Sequence, residues 1–248
     1  MRVLILGGTT EASELARQLS ARPNLEVETS FAGRTTGPRA AAGRTRVGGF
    51  GGEAGLAAYL RSAGVDILID ATHPLAKRMR WNAFDAASAV GIPRLRVERP
   101  PWTAGPGDRW TAVGDLRAAS EIARRYSRVL LTTGRIELEP FTQCVHTWFL
   151  IRSIEPPVPQ PLRDALVVLD RGPFTEAGER ALLIEHQIDL IVTKNSGGDA
   201  TVAKLAAARE LGLPVAMVER PPNPRGAIVE TVAEAMIWTG QRVEEFGG

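Results

Sequence analysis

The chain carries the same ordered set of segments twice. Val90-Gly91-Ile92-Pro93 leads a branched, apolar run that ends Val97-Glu98-Arg99-Pro100-Pro101. Leu211-Gly212-Leu213-Pro214 leads another that ends Val218-Glu219-Arg220-Pro221-Pro222, 121 positions later. Val65-Asp66-Ile67-Leu68-Ile69 matches Ile188-Asp189-Leu190-Ile191-Val192 at an offset of 123. Val3 to Leu6, followed by glycines, matches Val129 to Leu131, followed by Thr132-Thr133-Gly134, at about the same spacing. Matches in one order at a nearly constant offset imply two similar halves. A length of 248 residues accommodates two domains.

Each half alternates strand and helix patterns. Val3-Leu4-Ile5-Leu6 is a short apolar run that ends at Gly7-Gly8, and Ala12, Leu15, Ala16 and Leu19 follow at helical spacing. Thr9 or Thr10 can cap that helix, and Glu11 or Glu14 favours its positive end. Further strands are expected over 26–31, 66–70 and 93–97, and helices over 53–62 and 76–90. A Gly/Arg-rich stretch runs up to Gly52. The alternation predicts an α/β fold of two similar Rossmann- or flavodoxin-like halves with parallel sheets. Pro100, Pro101, Gly105, Pro106 and Gly107 place the join near 98–108. The expected domains are 1–101 and 102–248. Residues 156–161 read as a loop within the second half. A last helix is expected over about 228–239, and its packing is left open to either half.

Composition removes several classes. With 44% hydrophobic and 23% charged residues the chain is an ordinary globular one. Cys144 is the sole cysteine; it reads as buried and inert, and no spaced Cys/His cluster suggests a structural metal site. Apolar runs fall far short of the ~20 residues that span a bilayer, and the first residues lack signal-peptide character, so a cytoplasmic protein without a membrane role is expected. Residues 1–100 hold fourteen basic and nine acidic groups, so the first half attracts anions more than the second. No basic block is interleaved with aromatics, which argues against nucleic acid.

The candidate chemistry sits after strands. Gly7, Gly8, Thr9, Thr10 and Glu11 form a glycine turn before the first helix, where open α/β sheets bind phosphate. It is neither GxGxxG nor a P-loop. After the second strand, Gly33-Arg34-Thr35-Thr36 offers an arginine where an NAD-specific fold places an acid, so NADP(H) is preferred over NAD(H); a solvated arginine-rich loop is the plainer alternative. Asp70-Ala71-Thr72-His73-Pro74 and Lys194-Asn195-Ser196-Gly197-Gly198 close matching strands of the two halves. Lys194 is one of three lysines and is placed to meet an anion, although a surface salt bridge would also account for it.

These residues resemble the precorrin-6A reductase (cobalt-precorrin-6A reductase) family of cobalamin biosynthesis. The matching segments are 4–12, 32–34, 48–51, 69–76, 96–102, 193–198 and 219–221, with Leu75 standing where the family more often has Phe. The resemblance implies hydride transfer from NADPH to the C18=C19 double bond of a ring-contracted tetrapyrrole, without flavin or metal. It implies that Gly7, Gly8, Thr9, Thr10 and Glu11 meet pyrophosphate. Arg34 and Thr35 would meet a 2′-phosphate, and Thr72, His73 and Pro74 would lie near the nicotinamide end. The substrate would lie in a ligand cleft between the two halves, faced by Lys194, Asn195, Ser196, Gly197 and Gly198, with Gly134 and Arg135 as further candidates. His73, Lys194 and Ser196 are the candidate catalytic residues, and the proton donor is left open among His73, Lys194 and solvent. Transient contact with neighbouring pathway enzymes is compatible with that reading. The rival readings are a non-redox two-lobed ligand binder and another tetrapyrrole enzyme such as a uroporphyrinogen III synthase.

Overall fold

A computed structural model describes residues 1–32 and 42–247. The chain divides into two compact units, Met1–Arg99 together with Pro222–Gly248, and Pro100–Pro221. The first contains β1 (Arg2–Leu6), α1 (Thr10–Ser20), β2 (Glu26–Phe31), β3 (Arg44–Val47), α2 (Glu53–Ser62), β4 (Ile67–Asp70), α3 (Lys77–Val90) and β5 (Arg94–Val97). The second contains β6 (Arg109–Val113), α4 (Leu116–Ala123), β7 (Arg128–Leu131), β8 (Trp148–Ser153), β9 (Ala165–Leu169), α5 (Glu176–Glu185), β10 (Leu190–Lys194), α6 (Ala203–Glu210) and β11 (Pro214–Val218). The chain then returns to the first unit as β12 (Ala227–Val229) and α7 (Val232–Gly247).

Each unit holds one six-stranded sheet, ordered β12-β5-β4-β1-β2-β3 in the first and β6-β11-β10-β7-β8-β9 in the second. Every pairing is parallel. Strand for strand, β1 to β5 correspond to β7 to β11, and β12 corresponds to β6. Each outer strand therefore comes from the segment that follows the other sheet's fifth strand. The backbone marks both crossings alike: Glu98 N–H donates to Val229 O at 2.9 Å, and Glu219 N–H donates to Val113 O at 2.9 Å.

The central strands are apolar because both faces are covered. In the first sheet Val3, Ile5, Ile67, Ile69 and Leu95 pack against α1 and α7, while Leu4, Leu6 and Leu68 pack against α2 and α3. In the second, Val129, Leu131, Leu190 and Val192 pack on the side of α4, and Leu130, Ile191 and Val215 on the side of α5 and α6. Cys144 is buried, and burial pushes its thiol up. No helix among the described residues is long and apolar enough to cross a membrane.

Two elements differ from the expectations. The Gly/Arg-rich stretch contains β3, whose residues Arg-Thr-Arg-Val form an exposed edge and carry no apolar run. The helix expected from 228 begins instead at Val232, and Ala227–Val229 is a strand paired with β5. A capping box sets that start. Thr231 Oγ1 accepts from Glu234 N at 3.2 Å, and Glu234 Oε2 accepts from Glu230 N and Thr231 N at 2.9 and 3.0 Å. The last helix, whose packing the sequence leaves open to either half, groups with the first unit, together with the rest of Pro222–Gly248.

Ending the chain at Pro221 removes β12 and α7, strips the α7 cover from Leu95 and Val97 of β5, and leaves Glu98 N–H without its acceptor. The truncated chain is expected to melt about 10 °C or more below the intact one by calorimetry. An unchanged melting temperature would contradict the role assigned to the returning segment.

Candidate functional site

In an open parallel sheet, ligands bind outside the carboxyl ends of strands where the strand order reverses. That point falls between β1 and β4 in the first sheet and between β7 and β10 in the second. The glycine turn and the 71–74 loop flank the first; Thr132 to Arg135 and the 194–198 loop flank the second.

At the first switch point the two loops are tied together. Ala71 N donates to Leu6 O at 3.0 Å, and Gly7 N donates to Ser30 O at 2.9 Å. Thr9 is the N-cap of α1: its Oγ1 accepts from Ala12 N at 3.1 Å and donates to Ala71 O at 2.8 Å. One hydroxyl therefore both starts the helix and bridges β1 to β4. The two glycines serve different ends. A Cβ on Gly7 would come within 2.9 Å of Thr29 Cγ2, so Gly7 is required for packing. Gly8 has φ +121° and nothing within 4 Å of where its Cβ would lie, so its backbone is open to a close ligand. The first-turn N–H groups of α1 lack intrahelical acceptors and attract an anion. Glu11 lies in that turn, but it is paired with Arg99 at 3.0 Å, which offsets its charge.

The 71–74 loop rests on buried charge. Asp70, Arg80 and Arg96 are fully buried, and Glu98 nearly so. Arg96 Nη1 lies 2.9 Å from Asp70 Oδ1, Arg96 Nε lies 2.9 Å from Glu98 Oε2, and Arg80 Nη2 lies 3.0 Å from Glu98 Oε2. Arg80 also donates to Pro74 O. Thr72 is locked into this cluster. Its N and Oγ1 both donate to Asp70 Oδ1, at 3.1 and 2.7 Å, and Oγ1 accepts from Arg96 Nη1 at 3.1 Å. Its hydroxyl proton is thus already used within the protein, so Thr72 orients the loop. His73 is exposed, and its Nδ1 accepts from Leu75 N at 3.2 Å. The proton of the neutral ring therefore sits on Nε2.

At the second switch point the loop after β7 contains a 3-10 turn over Glu139–Gln143 where the first unit has α1. No long helix opens there to draw a phosphate. Lys194 is paired with Glu137, and Arg135 with Glu155 at 2.9 Å. Asn195 uses both ends of its amide on one backbone: Trp102 N donates to Oδ1 at 2.8 Å, and Nδ2 donates to Trp102 O at 2.9 Å. Trp102 Nε1 donates to Gly198 O at 3.1 Å, and Arg220 Nε donates to Asn195 O at 2.8 Å. Asn195 thus shapes the loop. Gly197 and Gly198, at φ +65° and +77°, carry its turn, and Gly134 turns the chain at φ +91°. Ser196 N donates to Lys194 O at 2.7 Å.

Arg34 and Thr35 lie outside the described residues. Arg46, at the end of β3, bonds Ser30 Oγ and Gly48 O and stacks on Phe50, so it fixes the turn after β3. The sequence reading missed Arg80, Arg96 and Glu98. Arg94-Leu95-Arg96-Val97 was the available signal, because an arginine alternating with core residues in a central strand must be buried with a partner.

The chain matches the family model "Precorrin-6x reductase CbiJ/CobK" over residues 2–240. The chain belongs to this family. It is 48% identical to a precorrin-6A reductase of Rhodococcus erythropolis over 242 residues, 96% of this chain and 97% of that protein. It is 47% identical to one from Rhodobacter capsulatus over 239 residues, 96% and 95% of the two chains. A solved CobK precorrin-6A reductase superposes with a TM-score of 0.90 at 46% identity, covering 97% of this chain and 96% of that one.

The second unit holds one more buried charge cluster. Lys204 Nζ donates to Thr201 O at 2.5 Å and lies 4.6 Å from the Trp102 ring centre, beside the buried pair Arg152–Glu179. Burial first, then Arg152, lowers the Lys204 pKa to about 7, against the pull of Glu179. A depressed amine costs stability below its folded pKa, and the cost fades as pH rises toward its unfolded value near 10.5. Lys204→Met should therefore raise the melting temperature by roughly 5 °C at pH 6 and by much less at pH 10. A gain that grew with pH would contradict this.

Proposed function

We propose that this chain reduces the C18=C19 double bond of precorrin-6A to give precorrin-6B, with NADPH as the hydride donor, in the cytoplasm. The first unit takes the nucleotide and the second contributes to holding the tetrapyrrole. The observation that carries this is the Thr9 hydroxyl bridging the two loops of the first switch point beside the open backbone of Gly8. That arrangement offers a pyrophosphate both an unobstructed approach and the start of α1. NADPH supplies the hydride, and one proton completes the reduction.

The residues of this chain bind and orient. Gly8, Thr10 and the first turn of α1 receive the diphosphate, and Arg34 with Thr35 reads the 2′-phosphate. His73 presents Nε2–H toward the nicotinamide end. Lys194 and Arg135 attract the carboxylates of an anionic ring, and each is held beforehand by an acid, Glu137 or Glu155. Hydride transfer to an electron-poor conjugated system depends chiefly on alignment and exclusion of water, so few acid–base groups are required.

NADPH should bind more tightly than NADH, and Arg34→Ala should remove most of the difference, about 1.5–3 kcal/mol. Fluorescence titration of both nucleotides decides it; equal affinities in the native chain would overturn the assignment. Glu137→Gln releases Lys194 from its carboxylate and should lower KM for the tetrapyrrole about two- to fivefold. A raised KM would show that the pair itself is needed.

A further inference from the structure

The two units provide an internal control. In the first sheet Asp70 on β4 lies opposite Arg96 on β5. In the second sheet the same register places Thr193 on β10 opposite Met217 on β11. Both pairs are buried on the corresponding face of their sheets, toward α3 and toward α6. The fold thus completes this position with a hydroxyl and a thioether. Glu98 continues the comparison: it is buried against Arg80 and Arg96, whereas its counterpart Glu219 is exposed.

Taking four ionised groups out of water is costly, and apolar replacements of matching volume are often neutral or stabilising. The second sheet shows that the architecture does not demand the charges. What distinguishes the first is what they hold. Asp70 receives both the N–H and the hydroxyl of Thr72, Arg96 donates to that hydroxyl, and Arg80 donates to the Pro74 carbonyl. Thr9 joins the same loop to the glycine turn through Ala71 O.

We propose that Asp70, Arg96, Glu98 and Arg80 are positioning residues for the nucleotide site: they fix the 71–74 loop across the switch point so that His73 meets the bound dinucleotide. None of the four is proposed to touch the ligand. The proposal rests on the NADPH reading above. It predicts that the cluster sets nucleotide affinity without setting the stability of the unit.

The test is the double variant Asp70→Thr/Arg96→Met, which installs the pair found at Thr193 and Met217 and keeps Arg80 and Glu98 paired. The full chain is examined by calorimetry, NADPH titration, amide hydrogen exchange and turnover of precorrin-6A. The expected result is a melting temperature within a few degrees of the native chain and faster exchange at the amides of 72–76. The Kd and KM for NADPH should rise about tenfold or more, with KM for precorrin-6A unchanged. A folded double variant with native NADPH affinity would overturn the proposal. Should that variant lose its cooperative transition, Thr72→Val decides, since it removes the bridging hydroxyl and no charge. A severalfold weaker NADPH Kd supports the positioning role, and an unchanged one overturns it. Failure of the native chain to bind NADPH would instead overturn the functional reading.

Discussion

A parallel strand cannot hand the chain to its neighbour through a tight turn. Each strand must be followed by a crossover that returns to the starting edge, and the crossovers cover both faces of the sheet. From that constraint come the unbroken apolar strands, exemplified by Leu4, Ile5 and Leu68 with no exposed surface. It also gathers every strand's carboxyl end on one edge, so Thr9 after β1 and Ala71 after β4, 62 residues apart in sequence, become neighbours. Thr9 and Ala71 share a hydrogen bond for that reason alone.

The two sheets use one frame for different chemistry. After β1 the chain enters an eleven-residue helix whose start is capped by Thr9; after β7 it enters a loop with a five-residue 3-10 turn. After β4 the loop sits on a cluster of opposite charges; after β10 it is held by an asparagine reaching the backbone of Trp102. The first arrangement leaves N–H groups and open backbone facing outward, which suits phosphate. The second leaves paired cations, Lys194 and Arg135, which suits carboxylates. Two like sheets thus differ by a handful of side chains at one edge.

Much of this was legible in the sequence. The repeat at a nearly constant offset, the glycine turn and the 70–74 and 194–198 loops all fall where the period and the punctuation place them. What escaped was of two kinds. β3 and β12 are short edge strands, the first polar and the second contiguous with a helical pattern, so periodicity had nothing to grip; Thr231 and Glu234 were the better guide to where α7 starts. The partners Arg80 and Glu98 have no local signature, because burial of a charge is a property of tertiary pairing; only the alternation Arg94-Leu95-Arg96-Val97 hints at it. The link from Asn195 to Trp102 spans 93 residues and has no local signature.

The exchange of outer strands has a consequence for synthesis. The second unit is built from one unbroken stretch, Pro100–Pro221, whereas the first needs β12 and α7, which follow the whole of the second unit in sequence. As the chain leaves the ribosome, the unit encoded later is the earlier one to have all its strands. The first sheet has to wait, one edge unpaired and the α7 side of its core bare, until β12 and α7 have been made. For this topology the order of maturation runs opposite to the order of the gene.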